Sequence, residues 1–159
     1  MTSQANRGKE LERLLNAANL IYRKRELAVI YNIPVTVALT DKGPVPISTP
    51  ADYLGCMGPD GKGVAFDAKE TRSSTSFPLA NIHDHQLNFL SYYERVGGKA
   101  GFLIWFKTVD DTEAFWTPAS FIEEFMETET RKSIPYGRFK DEWRVTITDY
   151  LNLIDETNN

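Results

Sequence analysis

Between Gly101 and Lys107 the chain reads GFLIWFK, almost uniformly apolar up to its last residue. A run this short and this apolar suits a central buried strand, covered on both faces by other elements. The rest of the pattern supplies that cover. From about Asn6 to Leu20, Leu11, Leu14, Leu15 and Ala18 recur at helical spacing and form one apolar stripe. Strand-like runs follow at Leu27–Tyr31 and Val35–Leu39, the second leading into a turn-rich segment with prolines at 44, 46 and 50. Tyr53–Met57 and Val64–Lys69 read as paired strands across a Gly- and Pro-containing loop. His85–Arg95 reads as a helix stopped by Gly97-Gly98, and Glu113–Trp116 as a strand. Pro118 opens a helix to about Met126, and Ile147–Ile154 reads as a last short helix. No internal repeat is visible. The expectation is an α/β fold, a mixed sheet flanked by helices.

The length of 159 residues fits one domain, expected to span 1–159. No apolar run is long enough for a membrane span, and the polar start MTSQANRGKELE does not read as a secretory signal. Cys56 is the single cysteine, which suits a reducing, cytoplasmic setting without disulfides. The net charge of −4 is awkward for a protein that meets phosphates. Its distribution softens the objection, because seven acids and no base lie between Thr108 and Thr130. Outside that window 18 basic residues face 15 acidic ones.

Chemistry concentrates at Asp67-Ala68-Lys69. On an extended strand Asp67 and Lys69 share one face, while Phe66, Ala68 and Glu70 point to the other. A carboxylate there can hold a divalent cation, and the lysine can orient water or neutralise charge developing on a phosphate. Asp52, fifteen residues earlier at the start of the preceding strand, is the natural second oxygen ligand. Such a site, with few carboxylates and several waters, suits Mg²⁺, with Mn²⁺ as a substitute. Taken alone, the same D-x-K pattern also describes a surface ion pair. His83-Asp84-His85 invites a transition-metal reading, but no third histidine exists. Asp84 is expected to cap the following helix, and the histidines to pack or touch phosphate.

The surrounding blocks narrow the choice. Asn6-Arg7-Gly8 with Leu11-Glu12, Asp52-Tyr53, Phe66-Asp67-Ala68-Lys69-Glu70-Thr71, Thr75-Ser76-Phe77-Pro78-Leu79 and His83-Asp84-His85-Gln86 occur in that order. In order and spacing they resemble the RecU family of dimeric Holliday junction resolvases, from about Asn6 to the Ile154 region. The resemblance implies a restriction-endonuclease-like fold of the PD-(D/E)xK type. It implies Asp52 and Asp67 as metal ligands and Lys69 as the catalytic lysine. Glu12 matches the acidic residue of the first helix, near the metal or its water, and Gln86 the glutamine that positions lysine, water or phosphate. Glu12 also reads as a solvated helix face, and Gln86 as a helix N-terminal residue.

Two departures from the family stand out. Asp67 replaces the usual glutamate, shortening the carboxylate's reach by one methylene. The projecting segment at about 35–50, longer and basic in the family, is short here and carries one base, Lys42. Contacts to DNA are expected from Arg7, at the start of the first helix, and from Arg72, Lys132 and Arg138. The functional expectation is a Mg²⁺-dependent endonuclease acting as a homodimer on branched DNA, the four-way junction. The alternatives are the same chemistry on flap, nicked or duplex DNA, or a non-catalytic DNA-binding module.

Overall fold

In a computed structural model that describes residues 8–108, 110 and 112–154, the GFLIWFK run lies inside a nine-residue strand at the middle of a six-stranded sheet. The elements in chain order are α1 (Lys9–Lys24), β1 (Ala28–Asn32), β2 (Thr36–Thr40), β3 (Gly43–Ile47), β4 (Tyr53–Met57) and β5 (Lys62–Thr71). They continue as β6 (Ser76–Pro78), α2 (Asp84–Arg95), β7 (Lys99–Lys107), β8 (Thr112–Pro118), α3 (Ala119–Thr128), β9 (Ser133–Pro135) and β10 (Arg144–Val145). The main sheet has the order β1-β4-β5-β7-β8-β10. Only β5 and β7 run parallel; every other neighbouring pair is antiparallel. A parallel pair needs a crossover, and α2 provides it.

Strand alternation divides the interior into two cores. Phe102, Ile104 and Phe106 of β7 join Leu87 and Leu90 of α2 and Ile122 and Phe125 of α3. Leu103 and Trp105 point the other way, to Leu11, Leu15, Ala18 and Tyr22 of α1. Both faces of β7 are therefore buried, as its sequence demands. The mixed sheet flanked by helices is the expected α/β architecture. Among the described residues, no helix is long and apolar enough to cross a membrane.

Three differences from the sequence reading have physical causes. Helix α1 runs on to Lys24 instead of stopping near Leu20, because the buried Tyr22 extends the stripe by another turn. The expected last helix, Ile147–Ile154, is a single 3₁₀ turn at Ile147–Asp149. The Asp149 carboxylate accepts from Leu153 N at 3.0 Å, Ile154 N at 3.2 Å and the Tyr22 hydroxyl at 2.7 Å. Backbone donors taken by a side chain are lost to a helix ladder. The projecting segment is a hairpin, β2 against β3, separate from the main sheet. Pro44 and Pro46 fit in β3 because they are two residues apart, so their missing N–H groups fall on one side of a two-stranded ladder.

The structure also contains a short repeat that is not visible in the sequence. Strand β6 is followed by a 3₁₀ turn at Leu79–Asn81, and β9 by one at Tyr136–Arg138. The sequences are Ser76-Phe77-Pro78-Leu79-Ala80-Asn81-Ile82-His83-Asp84 and Ser133-Ile134-Pro135-Tyr136-Gly137-Arg138-Phe139-Lys140-Asp141. The two strands pair antiparallel with Phe77 opposite Ile134, and the flanking bonds match: Leu79 N donates to Lys132 O, and Tyr136 N to Thr75 O, both at 2.9 Å. Inside each turn Ile82 N donates to Leu79 O, and Phe139 N to Tyr136 O. The segment is thus duplicated about a local two-fold axis. Three shared residue types, Ser, Pro and Asp, are too few to announce this in the sequence.

Candidate active site

Asp67 and Lys69 lie near the end of β5, on the face that carries Ala65 into the α2 core. Asp52 sits just before β4, whose register sets Tyr53 beside Phe66 and so delivers Asp52 to the same end of the sheet. The two carboxylates are interlocked through the main chain. Asp52 N donates to Asp67 Oδ1 at 2.7 Å, and Ala68 N donates to Asp52 Oδ2 at 3.2 Å. Asp52 O in turn accepts from Ile33 N at 2.8 Å, tying the corner to the chain that leaves β1.

Helix α2 closes the site from its first turn. Gln86 is buried, and its Oε1 accepts from Lys69 Nζ at 3.1 Å. The same Nζ stands 3.8 Å from Asp67 Oδ2. His83, not Asp84, is the N-cap residue, without a side-chain capping bond, and Asp84 is the first residue of the helix. Its charge there meets the positive end of the helix dipole instead. His83 and His85 are exposed and stack on each other at 5.9 Å between ring centroids.

The electrostatics are those of an incomplete neutralisation. Asp67 is fully buried and its Oδ2 has no hydrogen-bond partner. Burial first, and then the neighbouring Asp52 charge, push the Asp67 carboxyl up to about 7, against the opposing pull of Lys69. Burial also raises the Asp52 carboxyl. Two ionised carboxylates beside one ammonium leave a net negative charge in a desolvated place, which costs several kcal/mol unless it is matched. A hard divalent cation with several waters would match it, held by the Asp67 and Asp52 carboxylates. The donor set therefore fits Mg²⁺. Among the described residues, no three His, Cys, Asp or Glu side chains gather into a ligand cluster, so the site rests on the aspartate pair.

Glu12 projects from α1 on the opposite side of the sheet's end. With Asp52, Tyr53, Ala68 and Glu70 it lines a cavity of about 380 Å³. Glu70 points away from Asp67, as alternation predicts. Its Oε2 accepts from Gly8 N at 3.3 Å, fastening the start of α1 to β5. The sequence reading missed this tether, which alternation alone could not supply because its partner is main chain. Arg7 lies outside the described residues. Arg72 is exposed with its Nε 4.0 Å from Glu70 Oε1. Arg138 pairs with Glu129 at 3.1 Å, whereas Lys132 is exposed with no carboxylate partner among the described residues.

Comparison with known proteins places this geometry in a family. The family model RecU, "Recombination protein U", matches residues 6–156. A protein of Geobacillus thermodenitrificans named Holliday junction resolvase RecU is 32% identical, over 96% of this chain and 84% of its own. A protein of the same name from Limosilactobacillus fermentum is 36% identical, over 98% of this chain and 82% of its own. Among solved structures, the Holliday junction resolvase Hjc of Archaeoglobus fulgidus aligns with 89% of this chain and 98% of its own at 14% identity, with a TM-score of 0.45. The match over nearly the whole chain, with Asp52, Asp67, Lys69 and Gln86 assembled at one end of the sheet, shows that the chain belongs to the RecU family.

Proposed function

We propose that this chain is a single nuclease domain that resolves four-way (Holliday) DNA junctions as a homodimeric, Mg²⁺-dependent endonuclease of recombination and repair. The observation that carries the reading is the buried Asp67, with one oxygen held by Asp52 N and the other without a hydrogen-bond partner, beside a lysine held by Gln86. Asp52 and Asp67 are the proposed ligands, with Glu12 acting through water from the α1 side. When bound, Mg²⁺ or Mn²⁺ supplies Lewis acidity toward the phosphodiester and its attacking water.

The protein's own groups do the rest. Lys69, fixed between Gln86 Oε1 and Asp67, places an ammonium where charge develops on the phosphoryl oxygens. Gln86 uses its oxygen on Lys69, which leaves its amide N–H groups to donate to phosphate or water. Arg7, Arg72, Lys132 and Arg138 are the proposed contacts to the DNA backbone, which position the strand without reading its sequence. Two copies related by a two-fold axis suit a substrate with paired strands to cut. The lone Cys56, a free thiol, fits work in a cytoplasmic setting.

The test is incubation with Mg²⁺ and a labelled four-way junction. Cleavage should vanish in Asp67→Asn and in Lys69→Ala while junction binding survives; undiminished cutting by both variants would sink the assignment. A second reading keeps the chemistry but changes the substrate to flap, nicked or duplex DNA. It is favoured by the β2–β3 hairpin, whose single basic residue is Lys42. Competition with duplex of equal length decides between them. A junction preference below about tenfold, roughly 1.4 kcal/mol, would select the second.

A further inference from the structure

The duplicated segment separates two copies with different side chains on the same backbone. In the first copy the residues before β6 are Ser74 and Thr75; in the second, before β9, they are Arg131 and Lys132. All four are exposed. The first loop is closed by its own hydroxyls, with Ser73 Oγ accepting from Thr75 N at 3.3 Å and Ser76 N at 3.2 Å. The second copy places cations at the equivalent positions.

The local two-fold crosses these loops over. Through Leu79 N and Lys132 O, the loop of the second copy abuts the 3₁₀ turn of the first. That turn leads directly into α2, whose Gln86 holds Lys69. Arg131 and Lys132 are therefore fastened to the segment that enters the active site, though they lie far away in sequence. Their charges are also uncommitted. Arg138 is met by Glu129, Lys140 by Glu142, and Arg144 by Glu113 and Asp141. Among the described residues, Arg131 and Lys132 have no carboxylate within ion-pair distance.

From this we infer that Arg131 and Lys132 form a second phosphate contact, holding the DNA strand beyond the point where it passes Gln86, on a duplicate of the segment that flanks the active site. The inference rests on the nuclease reading, adds Arg131 to the contact proposed at Lys132, and ties both to the segment that enters the active site. The second copy has exchanged hydroxyls for charge and carries no part of the aspartate–lysine site. It serves binding, while the first copy leads into the helix that carries Gln86.

Salt dependence tests this directly, because each phosphate neutralised releases condensed counterions. Binding of a labelled four-way junction is measured over a salt series with the metal chelated, so that no cleavage intervenes. Arg131→Ala and Lys132→Ala should each lower the slope of log K against log salt by about 1, and the double variant by about 2. Lys132→Gln, which keeps the stem and removes only the charge, should reproduce the single change. Lys62→Ala is the control for bulk charge: exposed, and about 23 Å from Lys69 along β5 at roughly 3.3 Å per residue. It should leave the slope unaltered. A wild-type slope in the double variant would overturn the inference, and so would an equal drop in Lys62→Ala. If the unaltered chain failed to bind the junction at all, the nuclease reading would fall, and this contact with it.

Discussion

Raising the pH of the metal-free protein should weaken its fold, and Asp67 should account for most of the loss. Its carboxyl titrates at about 7 in the folded chain against an ordinary value of 3.8. Because the folded value is the higher one, the native state binds the proton more tightly than the unfolded chain does. The resulting stability is fully present below about pH 4 and is lost as the pH rises through 7. A shift of about three units corresponds to about 4 kcal/mol, at about 1.4 kcal/mol per unit. About 3 kcal/mol of that falls between about pH 5 and about pH 8. This is a large share of the 5–15 kcal/mol or so that holds a typical domain together. Urea unfolding in chelator at a series of pH values measures the effect as a falling midpoint. Saturating Mg²⁺ should flatten the profile, because ligand bound to the native state supplies the missing positive charge. Asp67→Asn, neutral at every pH, should flatten it without metal. A metal-free midpoint that holds or climbs over this range would refute the argument. So would an Asp67→Asn profile that falls as steeply as the wild type.

The remaining expectations concern single side chains. Gln86→Ala frees Lys69 Nζ from its 3.1 Å acceptor; losing a charged hydrogen bond of about 1.5 kcal/mol should lower kcat about tenfold with little change in KM, measured by single-turnover cleavage. Asp67→Glu restores the longer carboxylate that the family resemblance leads one to expect. At a fully buried position it should cost about 1–3 kcal/mol in denaturant unfolding while metal-dependent cleavage persists. Gly101→Ala would set a Cβ 2.2 Å from Thr117 O, a main-chain atom of the neighbouring strand that cannot step aside. Destabilisation should reach or exceed the upper end of ordinary overpacking, about 3 kcal/mol, read as a lowered unfolding midpoint or loss of folded protein.

Much of this fold was legible because its period is strong. The GFLIWFK run specified a strand buried on both faces, and alternation along Phe66–Glu70 put Asp67 and Lys69 together and Glu70 opposite. What remained hidden depended on partners distant in sequence. The Ile147–Ile154 segment has helical apolar spacing, but Asp149 diverts its backbone donors, and spacing carries no record of that. Gln86 was found through resemblance; its bond to Lys69 needed the crossover that lays α2 over β5. The pairing of β6 with β9 joins two three-residue strands, too short for any periodic signal. Charge pairing was hidden too: among the described residues Arg138, Lys140 and Arg144 meet carboxylates, whereas Arg131 and Lys132 meet none.

The reciprocal bonds between Asp52 and Asp67 have a practical consequence for anyone preparing an inactive form of this protein. Each carboxylate is also a fastener, gripping the main chain of the other's segment. Truncating Asp67 to alanine would remove chemistry and strand attachment in one stroke, leaving the Asp52 amide with no acceptor in a half-buried corner. Asparagine at the same position retains an oxygen for that amide and exchanges the charge and the other, unpartnered oxygen for a neutral NH2 group. A substrate-trapping version built on Asp67→Asn should therefore keep the shape of the site it reports on, whereas an alanine version would report on a site already sprung.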